Sequence, residues 1–267
     1  MKKIYFALMC MASLALMTAC GNKTEKADAE KENTEEVANE DEQNADEQNA
    51  EEQNSEDQAD VWGDPAKAAE LNLTELYAAG DFKPATNVIF EDTLGGETVS
   101  ELPTKWDIKH GSAEIAEAQG HKFITMMGGD TEILPLVGNN SKNFLPEKYT
   151  MEFEFMFGKD VFFYVNFFDA EENGIGDYDM CLYHANWNMA KADDEWMGGE
   201  KNDLNTMLNR DGWNHFAASY DKGNLKFFIN GKRIANLPNI KQAAYFVIRG
   251  GGADGSSHYI KNIRVAK

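Results

Sequence analysis

From residue 88 onward, apolar and polar positions alternate in short runs separated by turn residues, the period-two signature of half-buried strands. NVIFEDT, AEIAEA, KFITMM, YTMEFEFMFG, VFFYVNFFDA, DYDMCLYH, WNHFAASYD, NLKFFING, YFVIRGG and YIKNIRVAK each read as a strand. DKGN between FAASY and LKFFI predicts a tight hairpin, and the Asn-Gly of NGKR predicts a second turn. RGGGADGSS reads as a turn before the last strand and not as a phosphate loop, because no helix pattern follows it. Upstream, GDPAKAAELNLTELYAAG carries one helical signal, with Asp64 as N-cap, Pro65 at the first helical position and Gly80 just past the end. Many short strands and a single helix predict an all-β fold, a sandwich of two antiparallel sheets, with the helix packed beside it.

The first 61 residues break the pattern. Lys2 and Lys3 precede an apolar run over residues 4–16 that ends in LMTAC, a secretory signal too short to span a membrane. Residues 21–60 then hold sixteen Asp or Glu against three Lys, with a five-residue repeat in DEQNADEQNAEEQNSEDQAD. Such a segment has too little apolar surface to offset the entropy of ordering, and its charges repel one another, so it predicts a disordered, extended spacer. Four regions follow: a signal over 1–19, an acidic tether over 20–61, a helical lead-in over 62–84 and a β-sandwich over 85–267. The whole chain carries a net charge of -21. The sandwich region is acidic as well, which excludes a nucleic-acid partner.

LMTAC, small residues before a cysteine, resembles the lipobox of bacterial lipoproteins, with Met17 where Leu is usual. The resemblance implies that Cys20 becomes the lipidated first residue of the mature chain, a stable anchor to the outer membrane. Acidic residues soon after that cysteine resemble the export signal of surface-displayed lipoproteins, so both the periplasm and the cell surface stay open. Cys10 leaves with the signal and Cys20 carries lipid, which leaves Cys181 without a disulfide partner, as a small buried hydrophobe.

FEDTLGGETVSELPTKWDIKHGSAEI, LPEKYTMEFEFMF, WNHFAASYDKGNLKFFINGKRI and the closing YIKNIRVA resemble the concanavalin A-like lectin/glucanase superfamily over residues 88–266. They are similar in particular to the domain that precedes an OmpA-type module in certain bacterial envelope proteins; no such module is expected after Lys267. The resemblance implies a jelly roll of two curved antiparallel sheets, whose members bind glycans, hydrolyse them or do neither.

Three stretches could carry chemistry. In YTMEFEFMF, Glu152 and Glu154 emerge on one strand face about 7 Å apart, within the range of paired glycosidase carboxylates. The same alternation reads equally as a wet strand face opposite Met151, Phe153, Phe155 and Phe157. Laminarinase-like relatives place a third acid nearby, which is absent here, so no catalytic residue is favoured. In DAEENGIGDYDM, the oxygens of Asp169, Glu171, Asn173 and Asp177 partly follow calcium-loop spacing, but Met180 stands where a bidentate Glu belongs. No cofactor is required; calcium would fit the resemblance, since several members of that superfamily use one to shape a binding loop. The long connection LYHANWNMAKADDEWMGGEKND offers Trp187 and Trp196 as sugar-stacking faces, with Tyr183, Asn186, Asn188 and Asp194 to bind hydroxyls. The opposing reading has both tryptophans pack the loop onto the sheet. Trp106 and Trp213 belong to the core, and the five scattered histidines form no zinc pair. The expectation is a lipid-anchored envelope protein binding glycan through the loop at 183–203; a glycoside hydrolase or lyase and a structural or adhesive component are the alternatives.

Overall fold

The computed structural model describes residues 63–158, 161–172, 174, 207–253 and 256–267, together with the backbone of 180–184 and 191–192. Cys20, the tether and the signal lie outside the described residues. The strands are β1 (Val88–Asp92), β2 (Trp106–Ala118), β3 (His121–Pro135), β4 (Lys148–Phe157), β5 (Val161–Phe168) and β6 (Met180–His184). They continue as β7 (Lys191–Ala192), β8 (Asn214–Asp221), β9 (Asn224–Ile229), β10 (Lys232–Leu237), β11 (Tyr245–Gly252) and β12 (Ser257–Ala266). All pairings are antiparallel, in the order β10-β9-β8-β4-β12-β3-β11-β5-β6-β7, with β1 added to β12 and β2 to β3.

This continuous path curls into two layers because the β2-β3 hairpin bends. The 124–127 part of β3 pairs with β12 and its 131–133 part pairs with β11, so one strand serves both layers. Its bend falls at Gly128, with φ +88°, and the register of β2 slips around Gly111, with φ +76°. A strand that changes sheet at such a bend makes the corner of a sandwich. The first layer is β10-β9-β8-β4-β12 with β1, and the second is β11-β5-β6-β7. The expected all-β, two-layered, jelly-roll-like sandwich is therefore what the chain forms.

The core lies between the layers and is rich in phenylalanine. Phe153 and Phe155 of β4 meet Phe163 of β5 at ring-centre distances of 6.4 and 5.5 Å, and Phe167 meets Phe227 of β9 at 5.8 Å. Trp106 is buried in this core and donates its ring N–H to the buried Asp92 carboxylate at 2.9 Å. Both tight hairpins have the backbone their sequences require: Lys222-Gly223 and Asn230-Gly231 each place two successive residues at positive φ.

Two local expectations are corrected. The helix does not run from Asp64 to Gly80; α1 covers Leu73–Ala79, and its N-cap is Asn72, whose side chain accepts from the Glu75 amide at 3.2 Å. Asp64 instead closes a single turn through the Ala66 amide, and the chain then runs across the sheet to Asn72. Gly80 is extended, not left-handed, and is required because a Cβ there would sit 2.6 Å from the Gly231 carbonyl. Gly250, Gly251 and Gly252 belong to β11 and not to the turn after it. A Cβ on Gly250 would strike the ring of His258, and one on Gly251 would sit 2.1 Å from the Gly129 carbonyl.

The His258 ring fills the space over Gly250, beside Phe163. Burial drives its pKa down to about 4 against opposing contacts with the backbone of Phe162, Met126 and Gly251. The unfolded chain takes up this proton near pH 6.5 and the folded chain only near 4. Between those values the unfolded state binds more protons, so stability is present above about pH 6.5 and is lost as pH falls toward about 4. We expect a loss of about 3 kcal/mol across that window. Denaturant melts of wild type and His258→Gln at several pH values check this; the variant should lose that part of the slope, and an unchanged slope would exclude His258 as its source.

Candidate functional site

Strand β4 runs through the middle of the first layer, so the alternation that sends its phenylalanines inward sends Glu152 and Glu154 to the outer face. That face is not wet. Residues 63–85 cross it, and the two glutamates are 3 % and 2 % exposed. Around Glu152 the cover and the sheet converge: Tyr77 of α1 donates its hydroxyl to Oε2 at 2.6 Å, His215 Nε2 of β8 lies 3.0 Å from the same oxygen, and Arg264 Nη1 of β12 lies 3.3 Å from Oε1. Burial by itself would raise the Glu152 carboxyl, but the hydrogen bonds from His215 and Tyr77 and the charge of Arg264 outweigh it and hold it below the usual carboxylate range. The Tyr77 hydroxyl is pushed up, by burial and by its bond to Glu152.

Glu154 is shifted the other way. Burial raises it, against the hydrogen bond from Asn262 at 2.7 Å and the charge of Lys261 at 3.6 Å. Lys261 is itself 2 % exposed; its Nζ donates to Glu70 of the covering segment at 2.6 Å and lies 4.0 Å from the centre of the Trp213 ring. The two carboxylates are thus separately partnered: a cavity of about 370 Å³ lined by Leu73, Tyr77, Pro84, Asn262 and Arg264 reaches Glu152, and Glu154 does not line it. Trp213 is buried as expected, but beneath the covering segment with Ala68, Phe123 and Met156 and not between the layers.

The opposite face of the molecule offers a different surface. In β5, Val161, Phe163, Val165 and Phe167 point into the core, and Phe162, Tyr164, Asn166 and Phe168 form a half-buried row on the outside. Cross-strand pairing sets Arg249 of β11 opposite Tyr164 and Gly251 opposite Phe162. Because Gly251 has no side chain, the Phe162 ring lies over it, tilted against Tyr164 at 5.6 Å. The Arg249 guanidinium stands 5.5 Å from the Phe162 ring and grips Asp130 with two bonds of 2.8 Å. That pair holds the Asp130 carboxyl below its usual range and fixes a planar cation beside the aromatic row. Further along, Lys109 sits over Phe168 at 5.4 Å, and Phe168 stacks on Tyr245 at 5.0 Å.

Of the loop candidates, Tyr183 lies in β6, paired with Phe163 of β5. Asn186, Trp187, Asn188, Asp194 and Trp196 lie outside the described residues. In the calcium stretch, Asp169 is buried, accepts from Lys241 at 2.6 Å and closes a turn through the Glu171 amide at 2.9 Å. Asn173 and Asp177 lie outside the described residues, and among the described residues no group of three or more His, Cys, Asp or Glu is arranged to hold a metal ion. Phe162, Tyr164 and Arg249 were not singled out from sequence; the signal was Tyr164 and Asn166 at alternate positions of an otherwise apolar run.

No family model and no curated protein matches the sequence. Solved structures with similar folds include a laminarinase from Flavobacterium sp. UMI-01, with a TM-score of 0.48, 14 % identity, and 68 % of this chain and 100 % of that chain covered. Domain 4 of AbnA, a GH43 extracellular arabinanase from Geobacillus stearothermophilus in complex with arabinotriose, gives a TM-score of 0.44 at 14 % identity, covering 69 % of this chain and 94 % of that one. The carbohydrate-binding module CBM66 from Bacillus subtilis gives 0.37 at 11 % identity, covering 61 % and 96 %. All three likenesses are distant, and the all-β architecture rests on this chain's own strand pairing.

The cover over Glu152 has a measurable strength. Tyr77→Phe removes a hydrogen bond to a buried carboxylate and keeps the ring, so we expect a loss of about 1–2 kcal/mol in denaturant unfolding. An unchanged midpoint would mean that the hydroxyl does not hold the segment down.

Proposed function

We propose that this is a lipid-anchored envelope protein whose sandwich binds a glycan, without cleaving it, on the outer face of the second layer. The observation that carries this reading is the outward row of β5, Phe162, Tyr164, Asn166 and Phe168, beside the Arg249-Asp130 pair. Aromatic faces meet the apolar face of a sugar ring, and fixed polar groups beside them orient hydroxyls. What speaks against cleavage by Glu152 and Glu154 is their burial under residues 63–85 and their separate sets of partners. The anchor rests on the lipobox-like LMTAC and the acidic spacer that follows it.

An array of neutral oligosaccharides probed with the protein, with and without calcium, tests the binding. We expect specific binding with no new reducing ends, and about a tenfold loss of affinity in Tyr164→Ala or Phe162→Ala, corresponding to about 1.4 kcal/mol. Released products would overturn the non-catalytic reading, and a blank array would overturn glycan binding. Separately, Cys20→Ser should move the protein from the membrane fraction to the soluble fraction on fractionation, since the anchor would depend on acyl chains at that residue. Retention in the membrane fraction would exclude Cys20 as the anchor.

A further inference from the structure

The covering segment is attached unevenly. Its second part, residues 73–85, includes α1 and is fastened by Tyr77 on Glu152, by the fully buried Phe82 against Ala217 and Phe228, and by Ala85, whose amide donates to Thr150 and whose carbonyl accepts from Arg264. Its first part, residues 63–72, has only a turn for secondary structure and buries one small apolar side chain, Ala68, with Leu71 partly covered. It is otherwise held by Gln119 donating to the Pro65 and Ala68 carbonyls, by the bond from Lys261 to Glu70, and at its start by the buried Gly63, which lies directly on the Phe157 backbone. Lifting it opens no closed loop within the sandwich, so it is the low-cost unit of local opening.

What lies under this first part uses a charge on one side only, where Lys261 faces the buried Glu154 carboxylate at 3.6 Å. Lys261 sits on Trp213 amid Ala68, Met156, Phe123 and Tyr259, surroundings in which an uncharged side chain of similar length would fit. A buried ion pair is commonly no more stabilising than such a replacement. A cation kept on an aromatic floor, with Phe123 5.5 Å from Tyr259 and 5.9 Å from Trp213, has the composition of a recognition surface. Beside the fixed Glu154 at 3.6 Å, the group that hydrogen-bonds it is a second carboxylate, both oxygens of Glu70 turned to Nζ, supplied by the cover.

We propose that residues 63–72 form a flap over a second binding site, in which Glu70 stands in for the carboxylate of an acidic sugar that Lys261 holds against Trp213. The ligand is of the uronic-acid class: a pyranose ring for the aromatic floor and a carboxylate for Nζ, with the Asn262 side chain beside it on the same strand. Binding displaces Glu70 and lifts the flap, and residues 73–85 stay docked. The site is separate from the β5 face, and it stands or falls independently of glycan binding there.

Competition by a tethered carboxylate makes the test. Calorimetric titration of the full chain with trigalacturonate should give a dissociation constant about tenfold lower for Glu70→Gln than for wild type, because the occupied fraction of the site no longer reduces the apparent affinity. Lys261→Met, which keeps the volume over Trp213, should abolish binding in both backgrounds, and galactotriose, which has no carboxylate, should gain nothing from Glu70→Gln. Tyr164→Ala should leave trigalacturonate binding unchanged, which separates this site from the β5 face. Equal affinity of wild type and Glu70→Gln, or binding indifferent to Lys261→Met, would overturn the proposal. Binding of hexaglutamate in place of trigalacturonate would overturn the sugar assignment and make the site a peptide site.

Discussion

The outer face of β4 sets the terms for the rest of the molecule. A strand in the middle of a layer, with the other layer packed on one side, must have its second side either wetted or covered. Here it is covered, and the covered side carries Glu152 and Glu154. An unpaired buried carboxylate is far more costly than any one contact can offset, so each must find donors. Glu152 finds three, from three different elements: Tyr77 of the cover, His215 of β8 and Arg264 of β12. Glu154 finds one good donor in Asn262 and a longer approach from Lys261, and its opposite pKa shift follows from that poorer supply. Lys261 in turn needs Glu70. Residues 63–85 therefore complete the sandwich, and they do so with polar groups at defined positions as much as with apolar area.

The same need for placement appears at the other face, solved with glycine. The corner at Gly111 and Gly128 lets the β2-β3 hairpin belong to both layers, which turns β11 and β5 over the phenylalanine core. Gly251 then leaves a gap on the outside that the Phe162 ring occupies, and Gly250 leaves one on the inside for His258. Two adjacent residues of one strand so serve opposite faces, as the pleat dictates. The aromatic row of β5 lies against backbone at one end and against Arg249 beside it, so its rings are held by rigid strands and not by a loop.

How much of this was legible in the sequence depended on whether the cause was local. The strands were legible because period two is a local pattern, and so were the Lys222-Gly223 and Asn230-Gly231 turns, because positive φ at two successive residues is a demand on those residues alone. The helix start was misread because Asp64-Pro65 is as good a turn as it is a cap; only the path of the chain over the sheet makes Asn72 the cap. Glu152 and Glu154 looked like a solvated face because alternation reveals which residues share a side, never what lies on top of it. The cover comes from a segment about 75 residues earlier, and the partner that reveals it, Tyr77, carries no signal in its own neighbourhood. The outward aromatics of β5 were hidden by the opposite difficulty. In VFFYVNFF both sides of the strand are apolar enough to pass for core, and only Tyr164 and Asn166 betray the outer row.

The two faces are backed by one dense core, and that limits how they can influence each other. A ligand shifts an equilibrium only by its differential affinity for the two states. On the β5 face the contacting groups are held by strand pairing and by the bidentate Arg249-Asp130 grip, neither of which changes when residues 63–72 move, because no described contact of that stretch reaches the second layer. Between the faces stand Phe153, Phe155 and Phe163 in mutual contact, and such packing has no second arrangement of similar energy to pass a signal through. Occupancy of one face should therefore leave the affinity of the other unchanged. The covering segment gains its importance from connection instead: residues 73–85 keep their own contacts with the first layer, so residues 63–72 can loosen without unfolding the domain.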